Sequence, residues 1–334
     1  TRDLLRHHEA IEASGFSLLE LEYVLNHAPE STIGLRTEVI VQYIGLLRAG
    51  LSNLQDELLN SNETSRELLK KHLSKISEFA DADTLTKALD LIEGKWADDE
   101  ASRLAFIDDH FGVFIPAGAN PDTTLTQENF DDGDPLTEAE EQAITDRYNY
   151  VLGHLYPYLN ANLITEHVAS YLNLSNQQAD ILLTALSLPG TTANLRHHFQ
   201  AEKLIERDED GDYVHAVDAA NFPEVFQVYQ LVHKQSVALD NFTLEPEELS
   251  WFIEHHGDVA SLDLENLPVT APPAASLFVS WLNWWKFLEF KQQFPEPEEV
   301  TFYDILELGS DGATSINTLL AKLAAFTQWM ESSL

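Results

Sequence analysis

Apolar residues recur along this chain at helical spacing, and one stretch of the pattern occurs more than once. Glu20-Leu21-Glu22-Tyr23-Val24-Leu25-Asn26-His27 returns as Glu248-Leu249-Ser250-Trp251-Phe252-Ile253-Glu254-His255. Each follows a Phe-Ser/Thr-Leu entry, Phe16-Ser17-Leu18 and Phe242-Thr243-Leu244. A looser third copy begins at Leu174-Ser175 and runs through Ala179, Ile181 and Leu182. In each, a Ser or Thr is placed to cap a helix start, and carboxylates or amides occupy the first turn. An apolar stripe then docks on a neighbour. The pattern predicts a short helix packed on one side and carries no chemistry of its own.

The same periodicity predicts helices over most of the chain. Leu46, Leu47, Leu51, Leu54, Leu58 and Leu59 share one helix face, and Leu68, Leu69, Leu73, Ile76 and Phe79 another. Asn60-Ser61-Asn62 separates them, and Asp83 or Thr84 is placed to cap the next helix. Pro116 to Pro135 reads as a polar loop, after which Thr137-Glu138-Ala139-Glu140 opens a helix as a capping box. Helices over Thr137–Leu155, Leu163–Leu172 and Asn176–Leu186 follow. A short hairpin is then expected, with arms Leu204–Arg207 and Tyr213–Val217 around Asp210-Gly211. Three helices and a hairpin resemble a winged helix. Past Pro223, Phe226, Tyr229, Val232 and Val237 continue the helical spacing, a Pro-rich joint spans Pro268 to Pro273, and the last helices cover Thr301–Leu308 and Ser315–Met330. The expected fold is all-α, with multiple packed helical subdomains and one small β-hairpin. Its sequential parts are an N-terminal helical subdomain (1–115), an acidic loop (116–136), a winged-helix-like middle (137–220) and a C-terminal helical subdomain (221–334).

Charge narrows the partners. Across 334 residues, 56 acidic side chains face 19 basic ones, a formal charge of −37. Between Leu104 and Leu195 the one basic residue is Arg147, and none lies between Lys234 and Lys286. A nucleic-acid backbone or an anionic membrane would be repelled, which leaves basic proteins, further copies held by apolar contacts, or plain solubility. The expected recognition helix of the winged-helix-like part, Asn176 to Leu186, has no Lys or Arg and carries Asp180, so it reads as a packing module rather than a DNA reader. Aromatic residues make up 10% of the chain, too many for a disordered polymer. There is no cysteine, so disulfide and thiolate chemistry do not arise. Thr1 opens directly in helical pattern with no signal peptide in view, and both ends read as those of a fragment.

Candidate chemistry fails on spacing. With Gly211 in the glycine position of a calcium loop, Glu206, Asp208 and Asp210 take the first ligand positions, but the twelfth is Val217 where a bidentate Glu belongs. His8-Glu9-Ala10-Ile11-Glu12 lacks the second histidine of a zinc-protease helix, and none of the 13 histidines has another at i+3 or i+4. No phosphate-binding glycine loop and no nucleophile elbow occurs. With so many carboxylates, an acid–base pair in a cleft would arise by chance, so a carboxylate-pair hydrolase is a weak alternative. The expectation is therefore no catalytic residue, no cofactor and no metal.

One segment has interaction potential. In Ala274 to Phe290, Leu277, Trp281, Trp284 and Leu288 fall on one helix face, Phe278, Leu282 and Trp285 lie beside it, and Phe287 and Phe290 extend the belt. A helix apolar nearly all round is either central core or a contact surface. Large aromatics usually lie inside, and if exposed here, Trp281, Trp284 and Trp285 form the candidate protein interface.

Taken in serial order, these motifs resemble the A component of bacterial Tc (toxin complex) insecticidal toxins. The similarity lies with the α-helical shell that precedes the neuraminidase-like part. The capped units carry the resemblance, as do the helix Thr37 to Leu59 and the run Tyr148 to Leu186. So does the order Leu277-Phe278-x-x-Trp281-Leu282, Val300-Thr301-x-x-Asp304-Ile305-Leu306 and Leu319-Leu320-x-x-Leu323-Ala324-x-x-Thr327-x-Trp329. The similarity spans Gly15 to Met330; the acidic loop and the charge depart from the family pattern. The resemblance implies a non-enzymatic segment of a very large, secreted or extracellular homopentamer. Such a toxin binds target cells through other parts, encloses a translocation channel in its shell and injects an enzyme supplied by partner components. It opens in response to pH, and no catalytic residue is known in this region. The alternative is a helical protein-interaction scaffold unrelated to toxins.

Overall fold

The computed structural model describes residues 2–26, 32–59, 63–116, 125, 136–270, 276–294, 300–310 and 315–327. Asn60-Ser61-Asn62, the acidic loop apart from Pro116, Leu125 and Leu136, the end of the Pro-rich joint, and Met330 lie outside these residues. The described residues form fourteen α-helices and no strand. They are α1 (Arg2–Ala13), α2 (Leu18–Leu25), α3 (Thr37–Leu59), α4 (Ser65–Leu73), α5 (Ala82–Ile92), α6 (Glu100–Phe106) and α7 (Glu138–Leu172). There follow α8 (Asn176–Ala185), α9 (Leu195–Phe199), α10 (Pro223–Phe242), α11 (Pro246–His255), α12 (Leu277–Lys291), α13 (Phe302–Ser310) and α14 (Ile316–Thr327). They gather into two compact units, one of residues 1–45 with 165–334 and the other of residues 46–164. The sequential partition groups neighbours along the chain, whereas contacts group its first part with its second half.

In the 46–164 unit the predicted face of α4 is buried as written: Leu68, Leu69 and Leu73, with Ile76 and Phe79 in the turn that follows. Phe79, Phe111 and Phe114 meet edge-on in this core, with Leu89, Ile92, Val151 and Leu155 closing it. The α5 cap is Asp81, which accepts from the Thr84 amide at 2.9 Å, so the expected Asp83 or Thr84 cap is corrected. α7 is one helix of 35 residues, where two were expected. Pro157 lies inside it and removes one helical hydrogen bond.

In the other unit α10 is the central helix. Val225, Val228, Tyr229, Leu231, Val232, Ala238 and Leu239 are buried all around it. Three polar residues, Lys234, Gln235 and Ser236, are buried on it too, and each is bonded: Gln235 donates to the Leu264 carbonyl at 2.9 Å and Ser236 to that of His233 at 2.9 Å.

The recurring sequence pattern is one backbone junction built three times in this unit. Gly15, Asn173 and Thr243 are left-handed, with φ of 82°, 55° and 49°. The next residue is apolar and turned inward: Phe16 and Leu244 are buried and Leu174 half-buried. Ser17, Ser175 and Glu245 then stand at the N-caps of α2, α8 and α11. Three residues on, Glu20, Gln178 and Glu248 accept from the cap amide at 2.7, 3.0 and 3.0 Å. The two serines close the capping box by accepting from the amide three residues ahead at 3.2 and 3.1 Å. Leu21, Ala179 and Leu249 are buried at one equivalent position, and Val24, Leu182 and Phe252 at another.

This register corrects the expected entry of the last copy. Thr243 does not cap α11; it ends α10, its amide donating to Asp240 and Leu239 carbonyls, while the Leu244 amide reaches the Leu239 carbonyl at 3.3 Å. Pro246 fixes the start of α11, because a proline at the first helical position lacks the N–H that would go unpaired there.

The expected hairpin is reduced to a bridged turn. Arg207 and Tyr213 form an isolated antiparallel bridge, Leu204 sits in a 3-10 turn, and the Asp208 carboxylate accepts from the amides of Asp210 and Asp212 at 3.0 and 2.9 Å. Tyr213 and Val214 are exposed, so no apolar face holds two arms together. The same bonds occupy the carboxylate considered for calcium.

Substitution tests the junction register. Ser17→Ala and Ser175→Ala are each expected to cost about 1 kcal/mol in urea unfolding. Thr243→Gly is expected to stabilise by up to about 1 kcal/mol through release of left-handed strain. A loss for Thr243→Gly matching the serine variants would return the cap to Thr243.

Candidate interface on the aromatic helix

The sequence places four large apolar side chains on one face of α12, and they pack inward. Leu277, Trp281, Trp284 and Leu288 are buried, with both tryptophans at 0% exposure. Phe16 of the first junction meets Trp281 edge-on at 5.8 Å, Phe242 at the end of α10 lies 4.6 Å from Trp284, and Phe252 of α11 lies 5.1 Å from it. Both indole N–H groups lack a hydrogen-bond partner. Trp281 and Trp284 are thus core residues that receive the first and third junctions, which corrects their reading as interface. Of the three candidates Trp285 alone is half-exposed; Val279 and Phe290, at 54% and 49%, share the outward side of the helix.

Three buried polar clusters hold the chemically capable side chains. In the first, the Lys234 ammonium, 3% exposed, donates to the carbonyls of Tyr23 and Asn26, the latter at 2.7 Å. Those carbonyls end α2 and have no helical partner, so a cation satisfies them and meets the negative end of the helix dipole. Burial draws the Lys234 pKa down to about 8. Beside it the Tyr23 hydroxyl and His233 Nδ1 share a hydrogen bond of 2.7 Å; burial and the Lys234 charge draw His233 down to about 4.

The second cluster packs His167 against Tyr171 at 4.6 Å and Tyr43 against Tyr171 at 4.5 Å, with Tyr229 fully buried behind them. Burial draws His167 down to about 4 and raises the Tyr229 phenol.

The third lies in the 46–164 unit. Burial alone would raise the Glu93 carboxyl, but hydrogen bonds from Lys95, Arg66 and Tyr148, at 2.8, 2.5 and 2.8 Å, hold it below its usual range. Arg147, 1% exposed, donates to the carbonyls of Leu91 and Ile92 at 3.4 Å, a second buried cation at a helix C-terminus.

In each arrangement the polar groups bond to, or pack against, other groups of the chain. Among the described residues the shifted carboxylates, Glu57, Glu67, Asp81, Glu93, Asp99 and Glu140, all move down, because each accepts hydrogen bonds from a cap or a neighbouring donor. Among the described residues no three His, Asp or Glu side chains gather to hold a metal. A groove of about 350 Å³ runs between the second and third junctions, lined by Asn173, Ser175, Gln178, Ser236, Asp240 and Glu245 among others. Ser175, Gln178 and Ser236 already bond within the chain.

Sequence reasoning passed over Lys234, His233, His167 and the Arg147 role. The signal was available for two of them: Lys234 interrupts an apolar helix pattern, and Arg147 is the lone basic residue in a long stretch. No family model, no curated protein and no solved structure matches this chain.

Two measurements follow. Trp281→Ala and Trp284→Ala are each expected to cost about 3–5 kcal/mol in denaturant unfolding, and Trp285→Ala far less. Acid dependence has a definite sign. Below pH 6.5 the unfolded chain protonates His167 and His233, and the folded chain refuses those protons until about pH 4, so stability falls across that window. The loss is about 3 kcal/mol per histidine by its lower end. His167→Phe with His233→Gln should flatten that part of the stability profile; an unchanged slope would show that other groups set it.

Proposed function

We propose that the chain is a non-enzymatic structural segment of the helical shell of a Tc-like insecticidal toxin A component. The observation that carries this reading is the threefold use of one capped junction to set short helices into a helical unit. Buried cations and tryptophans serve helix ends and packing there, and the motifs occur in the family's serial order. On this reading residues 137–220 are a winged-helix-like packing module whose wing has shrunk to the bridged turn at Arg207 and Tyr213. The parent protein is a secreted or extracellular homopentamer. Its other parts meet the host cell surface, and it associates with further toxin-complex components. Among the described residues no helix is long and apolar enough to cross a membrane, which is consistent with shell rather than channel.

A helical interaction scaffold unrelated to toxins is the second reading, favoured by two exposed leucines on α2, Leu18 and Leu19. The genomic reading frame distinguishes the two. A frame many times longer than this chain, running on through both of its ends, is expected. A frame that stops close to both ends would overturn the shell reading.

A further inference from the structure

The three junctions serve as controls for one another. In each, the first two helical residues after the cap are surface positions: Asn176 and Gln177 in α8 are exposed, and so is Glu247 in α11, with Pro246 half-buried. In α2 the same positions hold Leu18 and Leu19, 67% and 56% exposed. The fold does not require leucine there, because the other two copies build the same turn with polar residues or proline. Within this chain both side chains stand mostly open to solvent, so they are available for contact with another molecule.

The surroundings say what kind of partner fits. Glu22 is exposed and lies four residues from Leu18 and three from Leu19, so its carboxylate shares their helix face. Glu20 follows the two leucines with its carboxylate turned to the cap, and α1 carries exposed Glu9 and Glu12 shortly before. A second copy would bring its own carboxylates and a charge of −37 against this face. A partner with lysine or arginine beside its apolar side chains would instead gain attraction on approach. We propose that the exposed face of α2 docks a basic amphipathic segment of another protein, apolar side chains covering Leu18 and Leu19 and a cation reaching Glu22. This inference does not depend on the shell reading.

The test uses two synthetic peptides of equal positive charge, one with leucine and lysine at amphipathic helical spacing and one with glutamine replacing leucine. Binding to the full chain is followed by fluorescence anisotropy near physiological ionic strength. Leu18→Asn with Leu19→Gln installs the residues of the second junction, so thermal unfolding should not change. Affinity for the leucine–lysine peptide should fall about tenfold or more, while the glutamine peptide binds weakly and equally to both proteins. Glu22→Gln should weaken binding several-fold and reduce its salt dependence. Equal affinity of parent and leucine variant overturns the proposal. So does a drop in thermal stability of that variant, which would make the leucines part of the fold. Self-association of the parent chain that the leucine variant abolishes would assign the face to a second copy and overturn it equally.

Discussion

The end of a helix leaves carbonyl groups without partners, and burying them without donors costs as much as losing hydrogen bonds. In this chain the problem arises where the short helix α2 meets the central helix α10, and a buried ammonium group resolves it. Lys234 lies on the carbonyls that close α2, at the cost of desolvation visible in its lowered pKa. Replacing one partner of such an arrangement leaves the other buried and unpaired, which is why the pair constrains the fold more than its net energy suggests. Arg147 does the same for α5 in the other unit. A chain so rich in acid places two of its few cations where no solvent reaches them.

Around that constraint the larger unit is assembled by repetition. Each junction turns the chain with one left-handed residue, buries the next side chain and caps a short helix whose inner stripe docks on its neighbours. Gln178 of the second copy donates to the Leu244 carbonyl of the third at 2.8 Å, so the copies also brace one another. Glu248 of the third copy holds Lys291 and the Tyr303 hydroxyl, tying it to α12 and the segment beyond. The carboxylate that closes a cap in one copy thereby becomes an anchor for later helices.

Most of the helices were legible from apolar spacing because burial enforces it: Leu69, Leu73 and Phe79 were grouped from sequence and lie at 0% exposure. The misses have local causes. The stop expected near Pro157 did not occur: the helix carries the proline within its length, at the loss of one backbone hydrogen bond, and is held by buried residues on both sides of it, Val151 and Leu155 before and Ile164 and Val168 after. The hairpin arms did not form because Asp208 takes the turn amides, Leu204 is buried in a 3-10 turn, and the second arm leaves Tyr213 and Val214 exposed. The Thr243 cap was misplaced by two residues because Phe-Thr-Leu mimics Phe-Ser-Leu, while Pro246 decides the helix start. The tryptophans were legible as a cluster on one helix, but which of them face inward depends on Phe16, Phe242 and Phe252, which approach from other parts of the sequence. The polar clusters were hidden for the same reason: a lysine that interrupts an apolar pattern marks itself as unusual, but the helix end it caps lies some 210 residues away along the chain.

The unpartnered indoles of Trp281 and Trp284 have a practical consequence. Sealed from water and stacked among phenylalanines, they should fluoresce at shorter wavelength than the half-exposed Trp285 on the same helix. Emission from that core therefore reports whether the first and third junctions are seated, once the buried Trp96 of the 46–164 unit and Trp251 are replaced by phenylalanine to remove their own short-wavelength signal.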